Sequence, residues 1–387
     1  MAEPSEDTTM PRRTVLQGVG AGAVALTAHT VSTSPTVSAE NNQPNMLVLI
    51  YDDSPREDYT KAFPVHDEYD VPGCVAVCPG LMGTDSRWMH PGHLEELHDA
   101  GWEVMSHTLE HRPLGEIPVR GDIEEGDTEI HVQSNLHGNH PGDEIVILDN
   151  GSETTATVVG RDSEGDNDFL ILDDPIDESF AAGDGFTTWV RYSEEFTREI
   201  LEGSKAQIED WGFGPVNAYV HTYNRYDGLV SELVEEYYEA VPNRRRNGHN
   251  PTFEPNPFDL GRENFENDKL EDEYIEEFLD VIANEPEFGI LYGHTNLNSF
   301  TAERIEFVIR EAQERDIEIV TLTTALTELD VLDNGNGVTD PNDDDNGQGA
   351  DDDTVITDDN GGTFDGLVNQ LREAIDGLFA RIRSLFS

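Results

Sequence analysis

The chain has 387 residues and a formal net charge of −58, because it carries 81 Asp and Glu but only 23 Lys and Arg. So large a negative charge disfavours binding to nucleic acid, whose phosphates would be repelled. It is typical of a protein adapted to molar salt, where the Debye length falls to about 3 Å and repulsion between surface carboxylates is screened.

The first 40 residues have the pattern of an export signal. Arg12 and Arg13 precede an uncharged, Gly- and Ala-rich segment at 17–28, as in twin-arginine (Tat) signals. That segment is too short to span a hydrocarbon core of about 30 Å as a permanent helix. We therefore expect a leader at 1–40 and a mature protein that is extracellular or held at the cell surface. An N-terminal extension with no export role is the alternative.

The next element is a predicted buried strand that ends in two carboxylates. Met46–Ile50 is a run of five apolar residues, and Asp52 and Asp53 follow it after Tyr51. Adjacent acidic residues are common in so acidic a chain. Their position after a strand is what marks them, because the C-terminal ends of strands are where α/β barrels carry out chemistry.

Cys74 and Cys78 lie four residues apart in one apparent strand. At about 3.3 Å per residue they are about 13 Å apart, which exceeds the limit of about 7 Å between the Cα atoms of a disulfide. We expect both to be buried, unpaired thiols.

A second short strand, Trp102–Met105, leads into two histidines, His107 and His111. On one helical turn, residues four apart face the same way. Together with the carboxylate of Asp53, the two imidazoles would make a three-residue metal site. Taken alone, this spacing is equally typical of an exposed helical turn or a capped loop.

These motifs together resemble the polysaccharide deacetylase superfamily, carbohydrate esterase family 4. Tyr51–Asp53 is similar to its first motif, His107–His111 to its second (His, Ser or Thr, two further residues, His) and Gly289–His294 to its fifth. The resemblance implies an α/β fold, a distorted (β/α) TIM-like barrel, made from 45–112 and 192–332.

The resemblance also implies roles for these residues. Asp53, His107 and His111 would bind a divalent metal, most simply Zn²⁺, with open positions for water and substrate. Asp52 would act as general base, and His294, as imidazolium, would protonate the leaving group. The substrate would be an acetylated polysaccharide or oligosaccharide, with the acetyl group on nitrogen or oxygen.

Between the two barrel segments, 113–191 loses the helical spacing, and five short β-like runs alternate with Gly-Asp turns. The pattern predicts a small inserted all-β domain. Because this insert follows the second motif directly, we expect it to overhang the metal site. Whether it binds anything is open.

The third motif of the family is altered in this chain. Val220 stands in place of its Arg, and Thr222 in place of its Pro. By resemblance, the backbone amide near Tyr223 would hold the oxyanion, and His221 would be a substrate contact or a core residue. Arg225 could replace the missing Arg or only cap the following helix. The fourth motif is absent, which leaves open what orients the histidine of the fifth.

The C-terminal segment has two parts. Residues 333–362 are acidic and Gly-rich, which predicts a solvated linker. Residues 363–387 repeat apolar residues every seven positions, which favours an amphipathic helix in a parallel coiled coil. A helix on a membrane surface and a helix packed on the barrel are the alternatives.

The sequence therefore predicts a secreted, metal-dependent polysaccharide deacetylase. The alternative is a non-catalytic cell-surface protein that binds or assembles glycan on a deacetylase-like barrel, because the third motif is altered. Metal-dependent release of acetate distinguishes the two.

Overall fold

The computed structural model describes residues 44–149, 151–182, 187–243 and 247–332. Within these residues, parallel strands alternate with helices, and a second group of strands is antiparallel. The strands in chain order are Met46–Asp52 (β1), Cys74–Val77 (β2), Glu103–Ser106 (β3), Ile117–Pro118 (β4), Glu129–Val132 (β5), Glu144–Asp149 (β6), Ser152–Glu164 (β7), Asn167–Leu172 (β8), Thr188–Arg191 (β9), Pro242–Asn243 (β10), His249–Pro251 (β11), Leu260–Gly261 (β12), Glu263–Asn264 (β13), Glu287–Gly293 (β14) and Glu318–Ile319 (β15).

The α-helices are Phe63–Tyr69 (α1), Pro91–Asp99 (α2), Glu194–Asp210 (α3), Gly228–Tyr237 (α4), Asp272–Asn284 (α5), Ala302–Glu314 (α6) and Leu322–Glu328 (α7). A π-helical turn at Asp58–Ala62 precedes α1. Two short 3₁₀ turns lie at Leu136–Asn139 and Thr222–Asn224. In the described part of the chain, no helix is long and apolar enough to cross a membrane.

The parallel strands pair with one another in a closed ring and form a small irregular barrel. β1 pairs with β2 and with β14, and β2 pairs with β3. From β3 the ring continues through parallel bridges to Tyr219 and then from Ala218 to Ala240. β10 pairs with β12, and β13 pairs with β14, which closes the ring. The carboxyl ends of these strands therefore meet at one face.

All seven residues of β1 are buried, because β1 lies at the middle of the parallel sheet with neighbours on both edges. The α/β class predicted from the sequence is confirmed. Cys74 and Cys78 are both buried and unpaired, as predicted. At the end of the described chain β15 is only two residues long, and the Thr321 side chain caps α7, which begins at Leu322.

The second group of strands forms one six-stranded antiparallel sheet in the order β4-β9-β6-β7-β8-β5. All five strand runs predicted between 113 and 191 are present. Buried apolar residues of this sheet, such as Ile130 and Ile147, belong to the same hydrophobic cluster as Leu49 of the barrel. The predictions for 1–40, 333–362 and 363–387 lie outside the described residues.

Candidate metal centre and active site

Asp53, His107 and His111 converge at the carboxyl ends of β1 and β3. Nε2 of His111 lies 2.9 Å from Oδ1 of Asp53, and Nε2 of His107 lies 3.2 Å from the same oxygen. One ligand atom from each residue can be chosen so that all three lie within 4.8 Å of one another. This donor set, two imidazoles and one carboxylate, suits a catalytic zinc site with open coordination positions.

The hydrogen bonding of His107 supports a cation at this point. Its Nδ1–H donates to the carbonyl oxygen of Val220 at 2.8 Å, and a carbonyl can only accept. In the neutral ring, Nε2 is then an acceptor, yet it faces a carboxylate oxygen of Asp53. Two acceptors at 3.2 Å require a positive charge between them or an additional proton. A divalent cation satisfies both, and the carbonyl fixes the tautomer that leaves Nε2 free to bind it.

Asp53 is electrostatically prepared to act as an anionic ligand. Burial raises the pKa of this carboxyl, but hydrogen bonds and positive charge from His107 and His111 outweigh burial and hold it well below its usual range. A metal ion bound to Asp53 would also favour the ionised carboxylate and lower its pKa further.

The sequence predicted that His107 and His111 lie on one helical turn, and the structure shows that they do not. Residues 108–110 form a turn in which Thr108 has φ 62°, and His111 itself has φ 61°. Left-handed backbone of this kind is unfavourable for residues with a Cβ and persists where the surrounding structure enforces it. Ten non-glycine residues in the described segments have positive φ, and six are close to this site in sequence: Asp53, Ser54, Thr108, His111, Tyr223 and Asn224.

Asp52 is held by an arginine that sequence reasoning missed. Nη1 of Arg262 lies 2.9 Å from Oδ1 and 2.8 Å from Oδ2 of Asp52, and both side chains are buried. The guanidinium also lies over the ring of Tyr292, 4.0 Å from its centroid. Arg262 therefore fixes the carboxylate and neutralises its charge.

His294 is held by a second residue that the sequence did not indicate. Oε1 of the buried Glu266 accepts hydrogen bonds from the ring Nδ1 of His294 at 2.6 Å and from its backbone N–H at 2.9 Å. Burial lowers the pKa of His294, but Glu266 and the charges of Asp52 and Asp53 outweigh burial and raise it to about 9. The ring is therefore an imidazolium at neutral pH, with Nε2 available as an acid.

The remaining predicted residues lie on one segment beside the histidine turn. The ring of Tyr223 packs edge-on against His111 with centroids 4.4 Å apart, and its hydroxyl lies 3.4 Å from Nδ2 of Asn139 in the 3₁₀ turn between β5 and β6. His221 is buried, stacks on Tyr226 and lines a separate cavity of about 190 Å³.

Arg225 does not pair with Asp52. Burial lowers the pKa of Arg225, and its charge adds to burial in lowering the pKa of His137, which lies in the 3₁₀ turn Leu136–Asn139. The hypothesis that Arg225 replaces the arginine of the third motif is therefore not supported, because Arg262 holds Asp52.

Solved structures with similar chain paths include several esterases and deacetylases. The Xyl-CE4 domain of a multidomain xylanase from the hindgut metagenome of Trinervitermes trinervoides is 10% identical, with 74% of this chain and 91% of that chain covered and a TM-score of 0.41. A family 4 acetyl xylan esterase from Clostridium thermocellum, in complex with cobalt, is 12% identical, with 73% and 90% covered and a TM-score of 0.41.

A CE4 family pseudoenzyme from Bacillus anthracis is 11% identical, with 74% of this chain and 66% of that chain covered and a TM-score of 0.41. At these identities and scores the three likenesses carry no conclusion about function. A search of the curated proteins found no match.

The family comparison bears directly on the histidine and aspartate motifs. The model of the polysaccharide deacetylase family matches residues 39–137, which include Asp52, Asp53, His107 and His111. The matched segment ends in the 3₁₀ turn between β5 and β6 and lies N-terminal to Arg262. Residues 39–137, and with them the candidate metal ligands, therefore match the polysaccharide deacetylase family, as the motifs predicted.

Proposed function

We propose that this chain is a metal-dependent deacetylase that hydrolyses N- or O-acetyl groups of a glycan. The observation that carries the proposal is the arrangement at the barrel face, where Asp53, His107 and His111 can hold one cation. Near this cluster, Arg262 holds Asp52 and Glu266 holds His294.

The division of labour follows from the contacts of each residue. A divalent cation, with Zn²⁺ our first choice, would polarise the acetyl carbonyl and lower the pKa of a water bound to it. Asp52 would accept the proton of the attacking water at a carboxylate oxygen, while Arg262 keeps that carboxylate in place. His294 would donate its Nε2 proton to the leaving amine or alkoxide, since Glu266 holds Nδ1.

The test is release of acetate from acetylated chitooligosaccharides and from acetylated xylan in molar NaCl, with and without a chelator. We expect release that chelation abolishes and added metal restores. Asp53→Ala should lose both the metal and the activity. Asp210→Asn, at the exposed end of α3, is the matched control and should retain both.

Glycan binding without acetate release from either substrate would contradict the proposal and favour the non-catalytic cell-surface protein. Release that persists in chelator with a metal-free protein would contradict the metal site.

We further propose export by the Tat pathway and adaptation to high salt, supported by the twin arginines and by the charge of −58. Helical circular dichroism should fall when the protein is dialysed into low salt, because the carboxylates then repel one another. A melting curve that is indifferent to salt would contradict this proposal. The inserted β domain at 113–191 and self-association or surface attachment through 363–387 remain predictions.

A further inference from the structure

Arg112 connects the candidate metal centre to the antiparallel sheet. It directly follows His111, and its backbone is fixed on both sides. Its N–H donates to Oγ1 of Thr108 at 3.1 Å, and its carbonyl accepts from Oγ1 of Thr222 at 2.5 Å. Any displacement of Arg112 is therefore transmitted to His111.

The side chain of Arg112 is anchored on Asp143. Its Nε donates to Oδ2 of Asp143 at 2.7 Å, and its Nη2 donates to Oδ1 at 3.2 Å, which is a two-point contact. These side chains are 14% and 11% exposed, so water competes little for the contact. Tyr192 donates its hydroxyl to the same Oδ2 at 3.0 Å. Glu110 also pairs with Arg112, but its side chain is 40% exposed.

Asp143 is itself positioned by the antiparallel sheet. It lies immediately before β6, its N–H donates to the carbonyl of His140, and its carbonyl accepts from the N–H of Val158 in β7. The backbone that carries the carboxylate holding Arg112 is therefore fixed to the start of β6, an interior strand of this sheet.

We propose that Asp143 is a positioning residue for the metal ligand His111 and acts through Arg112, so that the antiparallel sheet sets the metal affinity of the barrel site. His111 has the left-handed φ of 61°, and such a backbone persists only where its neighbours enforce it. On its C-terminal side the Arg112–Asp143 contact acts together with the backbone hydrogen bonds of Arg112 to Thr108 and Thr222. The inference rests on the proposed function in so far as that function places a cation at His111.

The test measures the affinity of the metal-free protein for Co²⁺ from its visible absorption in molar NaCl. Asp143→Asn should weaken Co²⁺ binding by about 10- to 100-fold, as is usual when a residue that orients a metal ligand is lost. Glu110→Gln removes the other partner of Arg112 and is the matched control. It should change the affinity by less than about threefold, because the Glu110 side chain is 40% exposed and water can replace its contact with Arg112.

Unfolding of the metal-free variants in chelator separates positioning from general destabilisation. Under conditions in which the metal-free Asp143→Asn protein is fully folded, we expect its Co²⁺ affinity still to be lower than that of the wild type. Tyr192→Phe keeps both charges, removes one hydrogen bond to Asp143 and should weaken binding by an intermediate factor. It serves if Asp143→Asn does not fold.

Equal Co²⁺ affinity in the wild type and the folded Asp143→Asn protein would overturn this inference and leave the proposed function intact. If only Tyr192→Phe folds, an affinity equal to that of the wild type would have the same meaning. A folded wild-type protein that binds no Co²⁺ or Zn²⁺ would instead overturn the metal-dependent function itself.

Discussion

Asp52 and Arg262 form an ion pair in which the two side chains are only 2% and 1% exposed. A buried pair of this kind adds little net stability, but removal of one partner leaves the other charge without compensation in a medium of low polarity. The same contact orients the candidate general base. Stability and activity therefore depend on the same two side chains, and a double substitution can separate them.

Asp52→Asn should abolish acetate release and leave the bound metal in place, because Asp52 is not among the ligand candidates. The variant should also lose about 3 kcal/mol of unfolding free energy, since Arg262 keeps its buried charge. The double variant Asp52→Asn with Arg262→Met should recover part of that stability without activity. Denaturant unfolding in molar NaCl, metal content and acetate release measure the three quantities. Activity in the double variant would contradict the role of Asp52.

The second residue-scale prediction concerns His294, which must carry a proton to act as an acid. Activity that depends on it is present below its pKa and is lost as the pH rises through that value, about 9 in the structure without a cation. Glu266→Gln removes the charge that holds the proton, so the basic limb of the kcat/KM profile should move down by about 1 to 2 pH units.

Glu263→Gln is the matched control for Glu266→Gln, because Glu263 is a near neighbour in sequence whose carboxylate contacts the backbone of Asn264 and not His294. An unchanged basic limb in the Glu266 variant would show that another group sets it.

At the scale of elements, the loop after β2 supports the turn between His107 and His111, because the backbone of Gly80 lies close to the backbone of that turn. The N–H of Gly80 donates to the carbonyl of Leu109 at 2.7 Å. A Cβ at position 80 would lie only 2.7 Å from that carbonyl oxygen and 2.7 Å from Cγ of Glu110. No side chain fits there unless the turn between the two histidines moves.

Gly80→Ala should therefore weaken Co²⁺ binding by about tenfold, as expected for displacement of a ligand-bearing segment. Gly203→Ala is the control, because its Cβ would meet no atom within 4 Å on α3. That substitution should leave metal binding unchanged and raise the unfolding free energy by about 0.5–1 kcal/mol through helix propensity. Equal metal affinity in both variants would contradict the role of the close approach.

The same elements show what the sequence could and could not predict. β1 and its two aspartates were predictable, because a fully buried parallel strand is a continuous apolar run. The histidine spacing indicated the ligands but not their left-handed turn, which involves residues with no local preference for that backbone. Arg262 and Glu266 follow strands of only two residues, too short to leave a periodic signal, and Arg262 is 210 residues from its partner in sequence.

For the whole molecule, the charge of −58 means that pH and salt act together on stability. Ordinary carboxylates titrate near pH 4, so between pH 6.5 and pH 5 few of them change charge. In molar salt, repulsion between those at the surface is also screened. Buried groups whose pKa changes on folding should then dominate the pH dependence of stability in this interval. Histidines whose pKa is lowered by burial reduce stability as the pH falls, and Asp58, whose pKa is raised by burial, opposes that loss.

Among the histidines in the described part of the chain, His66 and His137 are completely buried and keep neutral rings. Burial lowers the pKa of His66 to about 4, although its ring Nδ1 donates to the carbonyl of Pro72. Burial and the charge of Arg225 lower the pKa of His137 to about 3. The unfolded chain binds these protons near pH 6.5, so the native state loses stability as the pH falls below 6.5 and continues to lose it down to the folded pKa values.

Between pH 6.5 and pH 5 each of the two histidines should remove about 1.5 kcal/mol of unfolding free energy, at 1.36 kcal/mol for each pH unit of unequal protonation and with the unfolded imidazole half protonated at pH 6.5. His137→Leu removes one of these groups, and neither ring nitrogen of His137 has a hydrogen-bond partner in the described structure. The variant should therefore show a pH slope smaller by about one proton. The exposed His98→Asn should keep the wild-type slope. Denaturant unfolding at several pH values in molar NaCl measures these slopes, and an unchanged slope in His137→Leu would mean that His137 is protonated equally in the folded and unfolded chains.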